Sequence, residues 1–596
     1  MNRLKSLLLT TILLNFLIFT GCNSLKKMVK MAEEQNLTVE PSPLELQGST
    51  VTFTMSAKLP VKMLKKDNIY TLNTFYQYGD ERVEVGSVEF RAADFPNGAE
   101  QEPEQSQEFS FDYTGEEMDK GSLMIQGVAS KPNSDKTAET PEMEVAKGLV
   151  VIQNLVEAPS YVSYGSHGYN NQEELIPTSI NFYFPQGSSL LRRSEIRSDR
   201  GDRFSNFIAE KNVTRSVSIT GTHSPEGSER VNSNLSQDRA ERIEEYYREQ
   251  MDSYDYQGAA DSIEFILKPV VEDWGQFIDS LQNYDGISSS EKQEYTNIVN
   301  GPGSFEDKED RLHQLPTYRK VFADIYPKLR TAQTQILTVK EKKSDSQIAT
   351  FARQIFNGVF GSDSLSREEL MYSATLTPSL DEKQKIYEEA VESYDSWAAR
   401  NNLGAVYIAQ AMESGQMDGL DQAVTNLEQS VRMQDNAEAH ANLAIIYALR
   451  GDTERAKQEI DKADSMQPSN PDSKAGMNGV RGAIQIMNGE YQEAVSTLSN
   501  AEESAQNLFN LGLAQVLTDN YENAITSFEE AMGMEQGMAK ASYGIAIANA
   551  YLQNESAMNE ALTQAVQAEP SLREYALNDV VFMNYSDSEG FRSALQ

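Results

Sequence analysis

One cysteine, Cys22, stands in 596 residues, so no disulfide forms within the chain and no thiolate zinc cluster can be built. Histidine is nearly as scarce. His167, His223, His313 and His440 are the only four, far apart and without metal-ligand spacing. No Walker-type loop, G-x-S-x-G elbow or H-E-x-x-H helix occurs. These absences argue against an ordinary hydrolase or metalloenzyme, and neither cofactor nor metal is expected. Basic residues are outnumbered: 52 Lys and Arg face 90 Asp and Glu, for a net charge of −38. Such a chain repels phosphate, which excludes nucleic acid as a partner. Long apolar runs are missing except Leu7 to Phe19, which is too short to span a membrane comfortably.

That run follows Arg3 and Lys5 and ends in Thr20-Gly21-Cys22, the layout of a cleavable signal segment. A lone cysteine directly after Gly at such a boundary resembles a bacterial lipobox, with Phe19 in place of the usual Leu. The resemblance implies a signal peptide over 1–21, lipidation at Cys22, and a lipidated linker over 22–36. Asn23-Ser24-Leu25-Lys26-Lys27 has no Asp after the cysteine, which resembles lipoproteins sent to the outer membrane. It also lacks the acidic cluster that resembles a Bacteroidota surface-export signal. A lipid-anchored, periplasm-facing outer-membrane protein is expected, with surface exposure as the alternative.

The length calls for several domains, and the pattern gives three regions. From residue 37 to about 160, short alternating runs such as Val51-Thr52-Phe53-Thr54-Met55 and Leu123-Met124-Ile125 predict an antiparallel β-sandwich. Leu149-Val150-Val151-Ile152 is its last expected strand, and Tyr161 to Tyr169 is read as a linker. Over residues 175–342, Ile180–Phe184, Val217–Thr220 and Ile263–Leu267 read as strands. Helices over 194–209 and 236–250 alternate with them, so a small α/β domain is expected. A helical insertion at about 272–330 precedes a late strand near Gln335–Val339. Residues 345–596 read as helices throughout.

The stretch Gly221 to Tyr247 carries the sharpest motif: a Gly-rich turn, then a helix read as opening at Ser236 with Arg239 in its first turn. A helix start with free N–H groups and one guanidinium makes a pocket for a small charged group. Gly221, Gly227, Asn232, Leu235, Ser236, Arg239 and Ala240 resemble the OmpA-like domain, which holds peptidoglycan through the diaminopimelate of its stem peptide. The insertion and the Ser224-Pro225-Glu226-Gly227 turn resemble a Bacteroidota subgroup of that family. The resemblance implies a ligand site of Gly221, Ser224, Glu226, Asn232 and Arg239, with Ser224 standing where the family has Asp. A lost charged hydrogen bond of about 1.5–3 kcal/mol weakens binding roughly tenfold to a hundredfold. Two readings stand: Glu226 restores the carboxylate and the wall is bound, or the fold carries no ligand. His223 is read as a polar loop residue, Trp274 as a core or interface anchor, and Arg330 as a partner for neighbouring acids.

In the last region Leu403-Gly404, Leu443-Ala444, Leu511-Gly512 and Tyr543-Gly544 recur, followed by Ala423, Ala456, Ala494 and Ala524. This resembles the tetratricopeptide repeat, with a period of about 34 residues. The resemblance implies a solenoid whose concave face binds a protein partner. Glu368 to Tyr394 is expected to begin the array, and Asp579 to Phe582 to help cap it. The fold class is therefore multidomain: β-sandwich, central α/β OmpA-like domain, all-α repeat array. The function expected is a non-enzymatic envelope scaffold, an accessory subunit of an outer-membrane secretion or assembly complex. Two alternatives remain: a fimbria-associated or surface-exposed structural lipoprotein without peptidoglycan binding, and an envelope polymer-degrading enzyme using Glu272 and Asp273.

Overall fold

The computed structural model describes residues 24–65, 67–132, 134–256, 262–270 and 274–596. The signal segment, Cys22, and the acids Glu272 and Asp273 lie outside the described residues. No helix among those described is long and apolar enough to cross a membrane. The chain divides into two compact units, residues 1–169 with 345–596, and residues 170–344.

In the first unit, period-two runs make two sheets. One holds β1 (Asn36–Glu40), β2 (Leu44–Gln47), β3 (Thr50–Lys58), β6 (Glu104–Asp112) and β10 (Leu149–Val150). The other holds β4 (Ile69–Tyr78), β5 (Glu81–Arg91), β7 (Ser122–Lys131), β8 (Ser134–Glu139) and β9 (Met143–Lys147). Alternation in β3 turns Val51, Phe53, Met55 and Ala57 inward, where they share one core with Tyr70, Leu72, Leu123 and Ile125 of the second sheet. Residues 24–31, expected as linker, are instead helical, and Leu25 and Met28 are buried in that core. Two apolar side chains at i and i+3 share one helix face, which gives the segment something to bury.

The expected last strand, Leu149 to Ile152, is also different. Only Leu149–Val150 pairs, parallel to β2, and the chain then turns into a 3₁₀ segment, Ile152–Leu155. Val150, Ile152 and Leu155 are buried among the helices of the C-terminal array, together with Leu513, Phe528 and Ile547. The β-rich region and the array thus share apolar surface and fold as one unit rather than as two separate domains. Polar contacts tie the joint: Gln153 bonds Gly48 through both amide atoms (2.9 and 2.7 Å), and the Tyr491 hydroxyl donates to Leu46 O at 3.1 Å.

The array stacks five helix pairs: Trp397–Ser414 with Leu420–Met433, Ala437–Leu449 with Thr453–Asp464, Ser473–Met487 with Tyr491–Leu498, Ala505–Val516 with Tyr521–Met534, and Ala539–Tyr551 with Glu555–Ala568. Ala423, Ala456, Ala494 and Ala524 are fully buried where paired helices meet. Leu380–Tyr394 precedes the pairs, and the 3₁₀ segment Val580–Tyr585 closes them with Phe582 buried against Tyr543 and Phe591.

The second unit is a four-stranded sheet in the order β11 (Leu175–Tyr183), β14 (Thr331–Val339), β12 (Thr214–Gly221), β13 (Glu264–Pro269). β14, last in sequence, lies between β11 and β12 and runs antiparallel to both, while β12 and β13 are parallel. Phe182, Phe204, Val217, Ile219, Tyr246 and Tyr247 form its core. The insertion folds as helices from Gly275–Gln282 to Tyr326–Leu329 around its own cluster of Phe277, Tyr295, Leu312, Val321 and Tyr326.

Candidate functional site

Two places gather polar groups. The first is the loop after β12. Gly221 ends the strand where the backbone of the following helix crosses it: a Cβ there would lie 1.8 Å from Ser236 O, so no side chain fits. The helix runs Glu229–Ser253 and begins well before Ser236, with Ser228 at its N-cap. Ser236 is internal, its hydroxyl donating to Asn232 O at 3.0 Å, a bond that a mid-helix serine makes readily. Arg239 therefore does not sit in a first turn. The true N-terminus is taken by the insertion: Glu306 accepts the Glu229 N–H at 2.8 Å, and that contact holds its carboxyl below the usual range.

Arg239 is buried, and each of its nitrogens meets a backbone carbonyl: Nη1 to Thr222 O (2.7 Å), Nε to Ser188 O (3.1 Å) and Nη2 to Pro185 O (3.2 Å). It stitches the loop after β11 to the loop after β12. Burial, and next the nearby Arg330, lower its pKa to about 10. Arg330 Nε donates to Ser224 Oγ at 2.9 Å, and its Nη2 pairs with Glu226 Oε1 at 2.8 Å. Glu226 Oε2 and Asn232 Nδ2 are buried with no hydrogen-bond partner among the described residues. Phe305, from the insertion, meets the His223 ring edge-on and packs against Trp274. Behind them Glu309 accepts hydroxyls from Tyr318 (2.6 Å) and Tyr326 (2.7 Å), and burial pushes its carboxyl up to about 7. Gly221, Ser224, Glu226, Asn232 and Arg239 are thus close together, but their charges face other groups of the same unit.

The second place is the concave face of the array, and a strand of backbone fills it. Residues 157–169, of which Tyr161 to Tyr169 read from sequence as a linker, run extended along the first helices of the pairs. Asn442 Oδ1 accepts Ser163 N–H and its Nδ2 donates to Ser163 O, both at 2.8 Å. Asn402 treats Gly165 the same way (2.6 and 3.1 Å), and Asn510 does so for Glu157 (2.9 and 2.9 Å). Asn401 adds a second donor to Ser163 O at 2.9 Å. Between the clamps Gln506 bonds Ser160 and Ala158, and just past the last of them Ser469 Oγ accepts Ser166 N–H at 2.9 Å. The segment runs from the fourth pair back towards the first, opposite to the array. Tyr161 fits against Gly476, where a Cβ would lie 2.3 Å from its ring, and Tyr164 stacks on Tyr387.

The tetratricopeptide-repeat family profile matches residues 437–470 and 505–537, two of the helix pairs just described. The C-terminal region is built of tetratricopeptide repeats. Among solved structures, the tetratricopeptide protein YrrB, described as having an unusual peptide-binding site, is 17% identical over 31% of this chain and 92% of its own, with a TM-score of 0.26. PilF of Pseudomonas aeruginosa is 19% identical over 33% and 90%, with a TM-score of 0.27. The C-terminal part of a tetratricopeptide protein of Cytophaga hutchinsonii is 13% identical over 41% and 92%, with a TM-score of 0.26. No curated protein matches the chain. In the tetratricopeptide pairs the clamp asparagines follow a rule that sequence reasoning missed. Asn402, Asn442 and Asn510 each immediately precede the Leu-Gly or Leu-Ala pair that marks the repeat. The recurring triplet Asn-Leu-small was the signal: a small residue set against the partner helix and an amide two positions earlier on the concave side.

Proposed function

We propose that the chain is a non-enzymatic scaffold of the cell envelope. Acylation at Cys22 holds it to the outer membrane, facing the periplasm, and the tetratricopeptide array docks a protein partner as an accessory subunit of a secretion or assembly complex. The observation that carries the docking role is the array itself, with a concave face whose asparagines grip extended backbone. Anchoring rests on the lipobox-like residues ahead of Cys22. The test is metabolic labelling with an alkyne fatty acid, in the wild type and in Cys22→Ser, followed by gentle solubilisation and identification of co-isolated proteins. Label that persists in Cys22→Ser, or an unlabelled wild type that co-isolates with nothing, ends this reading.

Wall binding through the central unit is a separate reading with less behind it. It needs Arg239 to turn from three carbonyls to a ligand, and Glu306 to leave the helix start. The arrangement favours Arg239 as a clasp between two loops. Pelleting with purified sacculi decides: equal sedimentation of wild type and Glu306→Ala at background level supports the ligand-free unit. Pelleting of wild type that Arg239→Lys abolishes while the fold persists would restore the wall-binding role.

A further inference from the structure

The concave face of the array is equipped for more than a fixed joint. The helix pairs are held by an apolar cluster that includes Ile408, Leu427, Leu443, Ile446 and Ile460, against which Tyr161 and Val162 of the segment pack while only partly buried. Asn401, Asn402, Asn442 and Asn510 sit on top of that packing at 1% exposure or less. A primary amide matches a peptide group donor to acceptor, so each clamp bonds backbone, and the neighbouring side chains limit only the size of the residue it holds. The tyrosines and valine of the segment, Tyr161, Val162 and Tyr164, are only half-buried. Beside it lies an open-sided cavity of about 480 Å³, lined by Tyr164, His167, Lys383, Tyr387, Asn402 and Asn470. With the segment lifted away, the amides of the groove would bond water in its place.

We propose that this groove is an exchangeable peptide site. Residues 157–169 are its resident intramolecular ligand, and a partner protein enters by inserting an extended segment of the same chemistry. That segment runs from the later pairs towards the first. It carries a tyrosine where Tyr161 meets Gly476, and small residues at the two clamps now filled by Ser163 and Gly165. Glycine is favoured at the second, because a Cβ there would stand 3.0 Å from the Trp397 ring. The inference deepens the scaffold reading and rests on it. A resident segment tethered at both ends acts at an effective concentration on the order of 1 mM. An equivalent free segment at about 10 μM therefore fills roughly 1% of the grooves until the resident one is weakened.

The experiment is fluorescence anisotropy of a labelled synthetic peptide of residues 156–169 against the full chain. Wild type is expected to give no saturable binding at micromolar peptide. The double variant Tyr161→Ala, Gly165→Val, which loosens the resident segment, is expected to bind saturably, and adding Asn442→Ala weakens that binding tenfold or more. A folded double variant that binds nothing, or binding indifferent to Asn442, overturns the proposal. Hydrogen exchange on unaltered wild type guards against a variant that fails to fold. The Ser163 and Gly165 amides should exchange at least a hundredfold faster than the central amides of helix Ala437–Leu449. Equal rates would make the segment a permanent part of the core and overturn exchange. Partner co-isolation measured in parallel separates the cases: a partner retained without peptide exchange sinks this inference and leaves the scaffold standing.

Discussion

Replacing Asn442 by Ala removes the centre of the backbone clamp and nothing apolar. Three hydrogen bonds go: the one accepted from Ser163 N–H (2.8 Å), the one donated to Ser163 O (2.8 Å), and the one donated to Asn401 Oδ1 (3.0 Å). Ser163 O keeps its bond from Asn401, whereas Ser163 N–H is left without an acceptor on a residue that is fully buried. An orphaned buried donor costs about 1–3 kcal/mol, and with the other lost bonds the total comes to about 2–4 kcal/mol. At about 1.4 kcal/mol per decade, amides of residues 157–168 should exchange roughly 30 to 1,000 times faster. Amides of helix Ala437–Leu449 should hold their rates, since its apolar contacts are untouched. Asn426→Ala is the control: its amide makes one bond, to Gln422 O on the exposed face of its own helix, and the change should stay within about 0.5 kcal/mol. Exchange of the segment rising less than threefold in Asn442→Ala, or rising equally in the control, would refute the clamp as a source of binding energy.

Gly476→Ala drives a Cβ into the Tyr161 ring, so the segment should loosen with little change in the melting temperature of the array; parallel loss of both would place Gly476 in the helix packing instead. Gly221→Ala meets backbone 1.8 Å away and cannot be relieved by rotating a side chain, so the central unit should lose about 3 kcal/mol or more in chemical denaturation, and a loss under about 1 kcal/mol would contradict the close approach. Glu309 keeps its proton to about pH 7 in the fold, whereas the unfolded chain releases it near the ordinary carboxylate value. Its contribution is full below that value and is lost as pH rises towards 7, by up to about 3 kcal/mol. Glu309→Gln should flatten the pH dependence of central-unit stability over that window, and an unchanged slope would remove Glu309 as its source.

How much of this was legible differs from place to place. Alternating residues announced β3 and β7, because a half-buried strand must turn every second side chain inward. The small-residue positions Ala423, Ala456, Ala494 and Ala524 announced the helix pairs, because paired helices approach closely only there. The central loop was legible as a cluster: Gly221, Ser224, Glu226, Asn232 and Arg239 do converge. Their bonding was not, since the groups that meet them, Pro185 O, Ser188 O and Arg330, lie tens of residues away. The helix start was misplaced at Ser236 because serine also serves mid-helix by bonding the carbonyl four residues back.

Local order in the chain, then, determined most of the strands and helices, and that the C-terminal region repeats. Periodicity is written in neighbouring residues, and secondary structure answers to neighbours. Only the tertiary structure decided that Val150, Ile152 and Leu155 bury in the array, that Tyr161 to Tyr169 is its occupant, and that Arg239 holds carbonyls. Each of these joins groups far apart in sequence, where a buried polar atom takes whichever partner the fold brings within 3 Å.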